Sequence, residues 1–141
     1  MFSLHPQLEA DTQPLGDLPH CRVLLMNHAD FPWLILVPRG EAVAQNYYRE
    51  LFDLPPEKYA QAMEEVRMVA GKFKAHTQAD KMNIAALGNQ VPQLHIHIIA
   101  RFTQDKAWPN PVWNSGIPAR KYDENHLKSY SCELRALLAL P

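Results

Sequence analysis

The feature of this sequence that most constrains its fold is an alternating stretch at residues 92–102. In an extended strand, successive side chains point to opposite faces of the sheet, so one residue in two shares a face. The stretch predicts a half-buried strand whose outer face carries Gln93, His95 and His97 in a row. The positions predicted to face the core are Leu94, Ile96, Ile98 and Ala100.

Three further apolar runs predict strands that join this one in a sheet. Residues 22–26 and residues 33–37 are short apolar runs separated by a polar turn, which is typical of an antiparallel pair. A third run covers residues 82–87 and is stopped by Gly88. Together with residues 92–102, these runs predict a mostly antiparallel sheet of about five strands.

Two segments with helical periodicity complete the predicted fold. The first begins at Pro55 or Pro56, because proline suits the first turn of a helix, and its apolar stripe fades by Thr77. The second covers about residues 124–140, and Asp123 suits its N-cap position. Together, the predicted strands and helices indicate an α+β fold in which one long helix packs on the sheet and a second helix ends the chain.

Length and composition bound the class of protein. With 141 residues, of which 47% are hydrophobic and 21% charged, the chain predicts a single globular domain over residues 1–141. A formal net charge of -1 gives no overall attraction to nucleic acid or to an anionic membrane. No apolar run approaches the ~20 residues that cross a bilayer, and the start shows no signal peptide. We therefore expect a cytoplasmic protein that binds neither nucleic acid nor membrane.

The polar side chains of Gln93, His95 and His97 are spaced so that they can line the floor of a catalytic site. Side chains at i and i+2 lie about 7 Å apart on one face of a strand, and an imidazole serves as nucleophile, acid, base or metal ligand. Upstream, residues 88–90 form a Gly-Asn-Gln turn, and Asn83 lies on the preceding strand. Backbone N–H groups and amides of this kind hold a phosphate or a developing oxyanion. The residues alone thus favour phosphate chemistry.

Two other interpretations of the histidines stay open at this point. His95 and His97 can be solvated side chains on the outer face of a strand, with no chemistry attached. They can also be zinc ligands, since His-x-His on a strand is a metal-binding geometry. Zinc then needs a third ligand; Gln93 is a poor one, and His28 or His76 would have to reach the site through the fold.

Residues 88–99 resemble the signature of the histidine-triad (HIT) superfamily, which is His-φ-His-φ-His-φ-φ, with φ apolar, after a glycine-containing turn. Gln93 stands at the first triad position, and His95 and His97 stand at the second and third. The similarity extends over a triad core at about residues 22–109. Further matches are Asn27, residues 34–39, Asn83 and Trp108-Pro109.

The resemblance implies a HIT-like nucleotide hydrolase or nucleotidyl transferase, similar to diadenosine polyphosphate hydrolases. His95 would attack the α-phosphorus of a nucleoside phosphate, phosphoramidate or dinucleoside polyphosphate and form a covalent nucleotidyl-histidine. His97 would hydrogen-bond a non-bridging oxygen, and Gln93 would contact the phosphate. No metal or other cofactor is implied. The residues that the resemblance assigns to nucleotide binding are Asn27, Asn83, Gly88, Asn89, Gln90 and Trp108.

Two alternatives remain beside this function. Because Gln93 replaces one family histidine and Trp33 stands in the place of a more distant one, the chain can be a nucleotide-binding module with little turnover. It can also be a metal-dependent hydrolase with His95 and His97 as ligands. The expected partners are a small-molecule nucleotide and a second copy of the chain, because the Pro-rich strap at residues 108–118 needs a surface to lie on and the resemblance implies a homodimer.

Overall fold

A computed structural model of the chain describes residues 1–40 and 47–141. The strands are β1 (Thr12–Asp17), β2 (Cys21–Met26), β3 (Trp33–Pro38), β4 (Lys81–Ala85) and β5 (Ile96–Arg101). The helices are α1 (Pro6–Asp11), α2 (Pro56–Thr77) and α3 (Glu124–Leu137), with a short 3-10 turn at Leu51–Asp53. The strands form one antiparallel sheet in the order β1-β2-β3-β5-β4. The predicted α+β architecture is confirmed.

The two predicted helices form, and each begins where the sequence indicates. Helix α2 starts at Pro56, and Asp123 caps α3 because its Oδ1 accepts a hydrogen bond from the His126 N–H at 2.8 Å. The stripe of α2 is buried as far as Phe73, whereas Tyr59 in the first turns is 42% exposed. Within residues 1–40 and 47–141, no helix has the length and apolarity that crossing a bilayer requires.

Strand β5 is buried on both faces, so the prediction of a half-buried strand is wrong. Ile98 packs into the core beneath α2, as predicted for the aliphatic face. Ile99, on the other face, belongs to a second core that also contains Leu8 of α1 and Val112 of the strap. A period-two pattern gives the two faces of a strand, but it carries no information on what covers the outer one.

Segments outside the predicted elements make this cover. Helix α1 and strand β1 were not predicted, and β1 adds to the sheet beside β2. The strap lies on its own chain, because Val112 is buried in the second core and Trp113 packs against that core. Just beyond the strap, the Asn27 Oδ1 accepts from the Tyr122 N–H at 2.9 Å and the Ala29 N–H donates to the Arg120 carbonyl at 2.6 Å. These contacts fix the chain on the C-terminal side of the strap and hold the strap over the outer face of the sheet.

Candidate functional site

A pocket of about 520 Å³ lies on the face of the sheet opposite α2. This volume is in the range of small-molecule sites in proteins. Its apolar lining residues are Leu8, Met26, Leu87, Val91, Pro111 and Trp113. Its polar lining residues are Asp11, Gly88, Asn89, Gln90, His95, His97 and Asn114. The pocket therefore combines an apolar wall with a polar floor built around two imidazoles.

The ring of His95 is oriented by the backbone. Its Nδ1 lies 2.6 Å from the carbonyl oxygen of Gln93. Because a carbonyl oxygen only accepts hydrogen bonds, Nδ1 carries the hydrogen and the lone pair is on Nε2. Burial lowers the pKa of His95; the hydrogen bond to Gln93 opposes this shift, and the charge of His5 adds to it. The neutral ring thus keeps a nucleophilic nitrogen.

His97 has the opposite tautomer, and a neighbouring indole imposes it. The Trp33 Nε1–H donates to the Nδ1 of His97 at 3.0 Å. An indole N–H only donates, so Nδ1 of His97 is the acceptor and its hydrogen is on Nε2. Burial, with a smaller effect of the charge of His95, lowers the pKa of His97 to about 3. The two rings, with centroids 4.8 Å apart, therefore place a lone pair and a donor side by side.

The turn before the histidines borders the same pocket. Gly88 has a φ of 68°, a left-handed conformation that glycine adopts without the strain of a side chain. Gly88, Asn89 and Gln90 line the same pocket as His95 and His97. The fold thus brings together five of the nine site residues that the sequence indicated.

Gln93 does not face the pocket, contrary to the prediction that it contacts a phosphate. Its Oε1 accepts from the His5 N–H at 2.7 Å, and its Nε2 donates to the Ser3 carbonyl at 3.0 Å. The side chain is only 1% exposed, and both ends of its amide are occupied by the N-terminal segment. A strand pattern assigns Gln93 to the histidine face, but it cannot show that another segment covers it.

Three predicted nucleotide-binding residues make contacts within the fold. The Oδ1 of Asn27 accepts from the Tyr122 N–H at 2.9 Å, and the Oδ1 of Asn83 accepts from the Arg101 Nη1 at 2.9 Å. The ring of Trp108 lies 5.7 Å from the guanidinium carbon of Arg101. These contacts give the three side chains structural roles, and none of the three is among the residues that line the pocket; the nucleotide roles of Asn27, Asn83 and Trp108 stay predictions.

The sequence did not indicate several of the residues that line the pocket. Trp113 is the most prominent, because its ring stands edge-on to His97 at 4.9 Å and to Trp33 at 5.6 Å between centroids. The strap contains both Trp108 and Trp113, and only the former carries the Trp-Pro match. Leu8 and Asp11 had no signal, since α1 reaches the pocket through long-range packing alone.

A metal centre would need more ligands than the two histidines. Among residues 1–40 and 47–141, no group of three or more His, Cys, Asp or Glu side chains is arranged to hold a metal ion. Zinc in proteins takes at least three protein ligands even in catalytic sites. The expectation that the site works without a metal stays a prediction, and chelation tests it.

Comparisons with known proteins show which family has this fold. The family model described as "HIT domain" matches residues 7–104. A histidine triad protein from Bradyrhizobium japonicum is 44% identical over 97% of this chain and 98% of that chain, with a TM-score of 0.89. A histidine triad protein from Marinobacter aquaeolei is 43% identical over 99% of this chain and 97% of that chain, with a TM-score of 0.90. Among curated proteins, no match to the chain is found.

A further solved structure supports the same assignment. A histidine triad protein from Sinorhizobium meliloti is 39% identical over 96% of each chain, with a TM-score of 0.87. The chain belongs to the HIT-domain family. This family consists in general of nucleotide-binding proteins, nucleotide hydrolases and transferases.

Proposed function

We propose that this protein is a nucleotide hydrolase or nucleotidyl transferase that cleaves at the α-phosphate of a nucleoside phosphate, phosphoramidate or dinucleoside polyphosphate. The Nε2 of His95 attacks the α-phosphorus, and the bond to the leaving group breaks with its electron pair on that group. Water then cleaves the P–N bond and releases the nucleoside monophosphate. The observation that carries the proposal is the 2.6 Å contact between His95 Nδ1 and the Gln93 carbonyl, because it leaves Nε2 unprotonated.

His97 supports the proposal as a donor to the transferring phosphoryl group. Trp33 holds its Nδ1, so the Nε2–H is the end of the ring available to a non-bridging oxygen. Because His97 is buried, the developing charge meets a hydrogen bond in a medium of low dielectric, where it is worth more than in water. The turn at residues 88–90 lines the same pocket and supplies further polar groups.

The remaining lining residues suit a nucleoside. Trp113, Pro111 and Met26 offer an apolar surface for a base. Asp11, whose carboxylate accepts two hydrogen bonds of 3.0 Å from Gln7 Nε2, would repel a phosphate and suits ribose hydroxyls. The proposal therefore assigns the nucleoside to the α1 and strap side of the pocket and the phosphate to the histidines.

A substrate panel tests the proposal. Adenosine and guanosine phosphoramidates, aryl nucleotidyl esters and dinucleoside polyphosphates are offered to the protein, and release of AMP or GMP is measured. We expect His95→Ala to abolish turnover while nucleotide binding is retained, because the other donors persist. We expect His97→Ala to lower kcat by about 10² to 10³-fold, as for the loss of one transition-state donor.

The same panel discriminates the alternatives. Near wild-type turnover in His95→Ala together with an inactive His97→Ala would show that the nucleophile is assigned wrongly. Binding without monophosphate release from any substrate would favour a nucleotide-binding module. A strong chelator is expected to leave the rates unchanged; loss of activity that zinc restores would favour a metal-dependent hydrolase with His95 and His97 as ligands.

A further inference from the structure

The strap brings one polar residue to the nucleoside side of the pocket. Pro111, Trp113 and Asn114 line the pocket from the strap, and only Asn114 carries a side-chain amide. Trp113 is fixed against the site, because its ring stands edge-on to His97 and to Trp33 at 4.9 and 5.6 Å between centroids. Asn114 follows directly, with its Cα about 3.8 Å from that of Trp113. Asn114 therefore borders the apolar surface that suits a base.

The backbone around Asn114 is held in a tight turn. The φ of Asn114 is 57°, a left-handed conformation that asparagine adopts more readily than most residues with a side chain. Ser115 closes the turn, because its Oγ donates to the Val112 carbonyl at 2.9 Å and accepts from the Ile117 N–H at 3.3 Å. Val112 is itself buried in the second core. The fold thus sets the position of Asn114 at the pocket.

The amide of Asn114 has both of its hydrogen-bonding groups available to a ligand. Among residues 1–40 and 47–141, the Asn114 side chain has no hydrogen-bond partner. By contrast, the Asp11 carboxylate on the α1 side accepts two hydrogen bonds of 3.0 Å from Gln7. Small-molecule pockets combine apolar walls with a few polar groups that fix the orientation of the ligand and supply specificity. On the strap side of this pocket, Asn114 is the residue with such a group.

We propose that Asn114 determines base specificity by a pair of hydrogen bonds from its side-chain amide, and that adenine is the preferred base. This inference rests on the proposed function, which assigns the nucleoside to this side of the pocket. An amide places a carbonyl acceptor beside an NH2 donor. Adenine offers the complementary pair on two edges, with its N6 amino group beside N7 or beside N1. Guanine offers two adjacent acceptors, N7 and O6, on the first of these edges, so it matches the amide in fewer orientations.

The test measures the binding of three nucleoside 5′-monophosphates by titration calorimetry. The nucleosides are adenosine, guanosine and purine riboside, which is adenosine without its N6 amino group. We expect the wild-type protein to bind AMP about tenfold more tightly than purine riboside monophosphate, as for the loss of one base-edge pair. Asn114→Gly keeps the left-handed backbone without strain and removes the amide, so it should bind these two ligands equally.

A second variant changes the hydrogen-bonding pattern without changing the size of the side chain. The carboxylate of Asn114→Asp only accepts hydrogen bonds, and it matches the adjacent N1–H and N2–H donors of guanine. We expect the ratio of AMP affinity to GMP affinity to fall about tenfold in this variant. Asn110→Asp is the matched control, because it makes the same change in the strap at a residue that does not line the pocket. It should keep the wild-type ratios.

Each outcome decides the inference. Loss of the preference for the N6 amino group in Asn114→Gly, with a lower AMP to GMP ratio in Asn114→Asp, supports base selection by the amide. Wild-type ratios in both variants overturn it, because Asn114 then serves only the turn. Equal wild-type affinity for AMP and purine riboside monophosphate overturns it as well. If the wild-type protein binds no monophosphate and releases none from any substrate, the proposed function fails as a whole. Monophosphate release without discrimination between the bases rejects the role of Asn114 alone.

Discussion

The indole of Trp33 decides which nitrogen of His97 carries the hydrogen. Trp33→Phe keeps a buried aromatic ring and removes the N–H that now donates to His97 Nδ1 at 3.0 Å. His97 then loses its fixed tautomer, and we expect kcat to fall about 10-fold, as for the loss of an orienting partner. The fall should appear in kcat with little change in KM, and the 15N shifts of His97 should report mixed tautomers. Trp108→Phe, which keeps a ring over Arg101, is the control and should retain wild-type kcat. Equal rates for Trp33→Phe and wild type would contradict the positioning role.

Burial of His97 makes the stability of the fold sensitive to acid. In the native state the pKa of His97 is about 3, against 6.5 for an unperturbed histidine. Between these pH values, residue 97 of the unfolded chain binds a proton that the native protein does not bind. The contribution of neutral His97 to the free energy of unfolding is therefore complete above pH 6.5 and is lost as the pH falls toward 3. The slope is about 1.4 kcal/mol per pH unit for one proton. Urea unfolding at pH 7, 6 and 5 should therefore show a shallower loss of unfolding free energy in His97→Phe than in wild type. Parallel losses in the two proteins would contradict this origin of the acid sensitivity.

At the scale of elements, the strap carries Trp113 to the site and depends on an anchor at Asn27. Asn27→Ala leaves the N–H of buried Tyr122 without its acceptor, and we expect a loss of about 1–3 kcal/mol in unfolding free energy. Asn27→Asp keeps an acceptor oxygen and should retain most of that stability. Chemical unfolding and nucleotide affinity are measured for both variants. A weaker affinity in Asn27→Ala at unchanged stability would instead favour the ribose contact that the resemblance implied.

The elements differ in how much of them could be predicted from sequence. Strands β2, β3 and β5 and helix α2 have strong periodicity, and their positions were predicted to within a few residues. Strand β1 was missed because Pro14 and Gly16 interrupt its pattern, and its pairing with β2 shifts register between these two residues. The local sequence pattern also cannot show what covers the Gln93 side chain, because its hydrogen-bond partners lie some ninety positions earlier in the chain. The histidines were thus predictable, whereas the segments that cover them were not.

At the scale of the whole molecule, the β4 edge of the sheet is where we predict the second copy to bind. Strand β4 is an edge strand, and Ile84 on it is 51% exposed. Nearby, Leu87 and Phe52 are also exposed and both line a second cavity of about 180 Å³ beside His95. An exposed apolar edge of this kind pairs readily with another strand. Because the strap lies on its own chain, it is no longer a reason to expect a homodimer. The exposed β4 edge is the reason for that prediction instead.

Sedimentation velocity at micromolar concentration tests the prediction. We expect a dimer for the wild-type chain and a shift toward monomer in Ile84→Lys, because a charge at the paired edge is costly to bury. Ala136→Lys, on the exposed side of α3, is the matched control and should remain dimeric. A wild-type protein that sediments as a clean monomer would contradict the prediction.

Detection of the covalent intermediate tests the proposed nucleotidyl transfer. A single turnover of a nucleotidyl ester is quenched within milliseconds to seconds, and the digested protein is analysed by peptide mass spectrometry. We expect one nucleotidyl group on His95, which forms before the monophosphate is released and decays at the rate of release. His95→Ala should show no adduct. Turnover without an adduct, or with the adduct on a residue other than His95, would contradict the proposed mechanism.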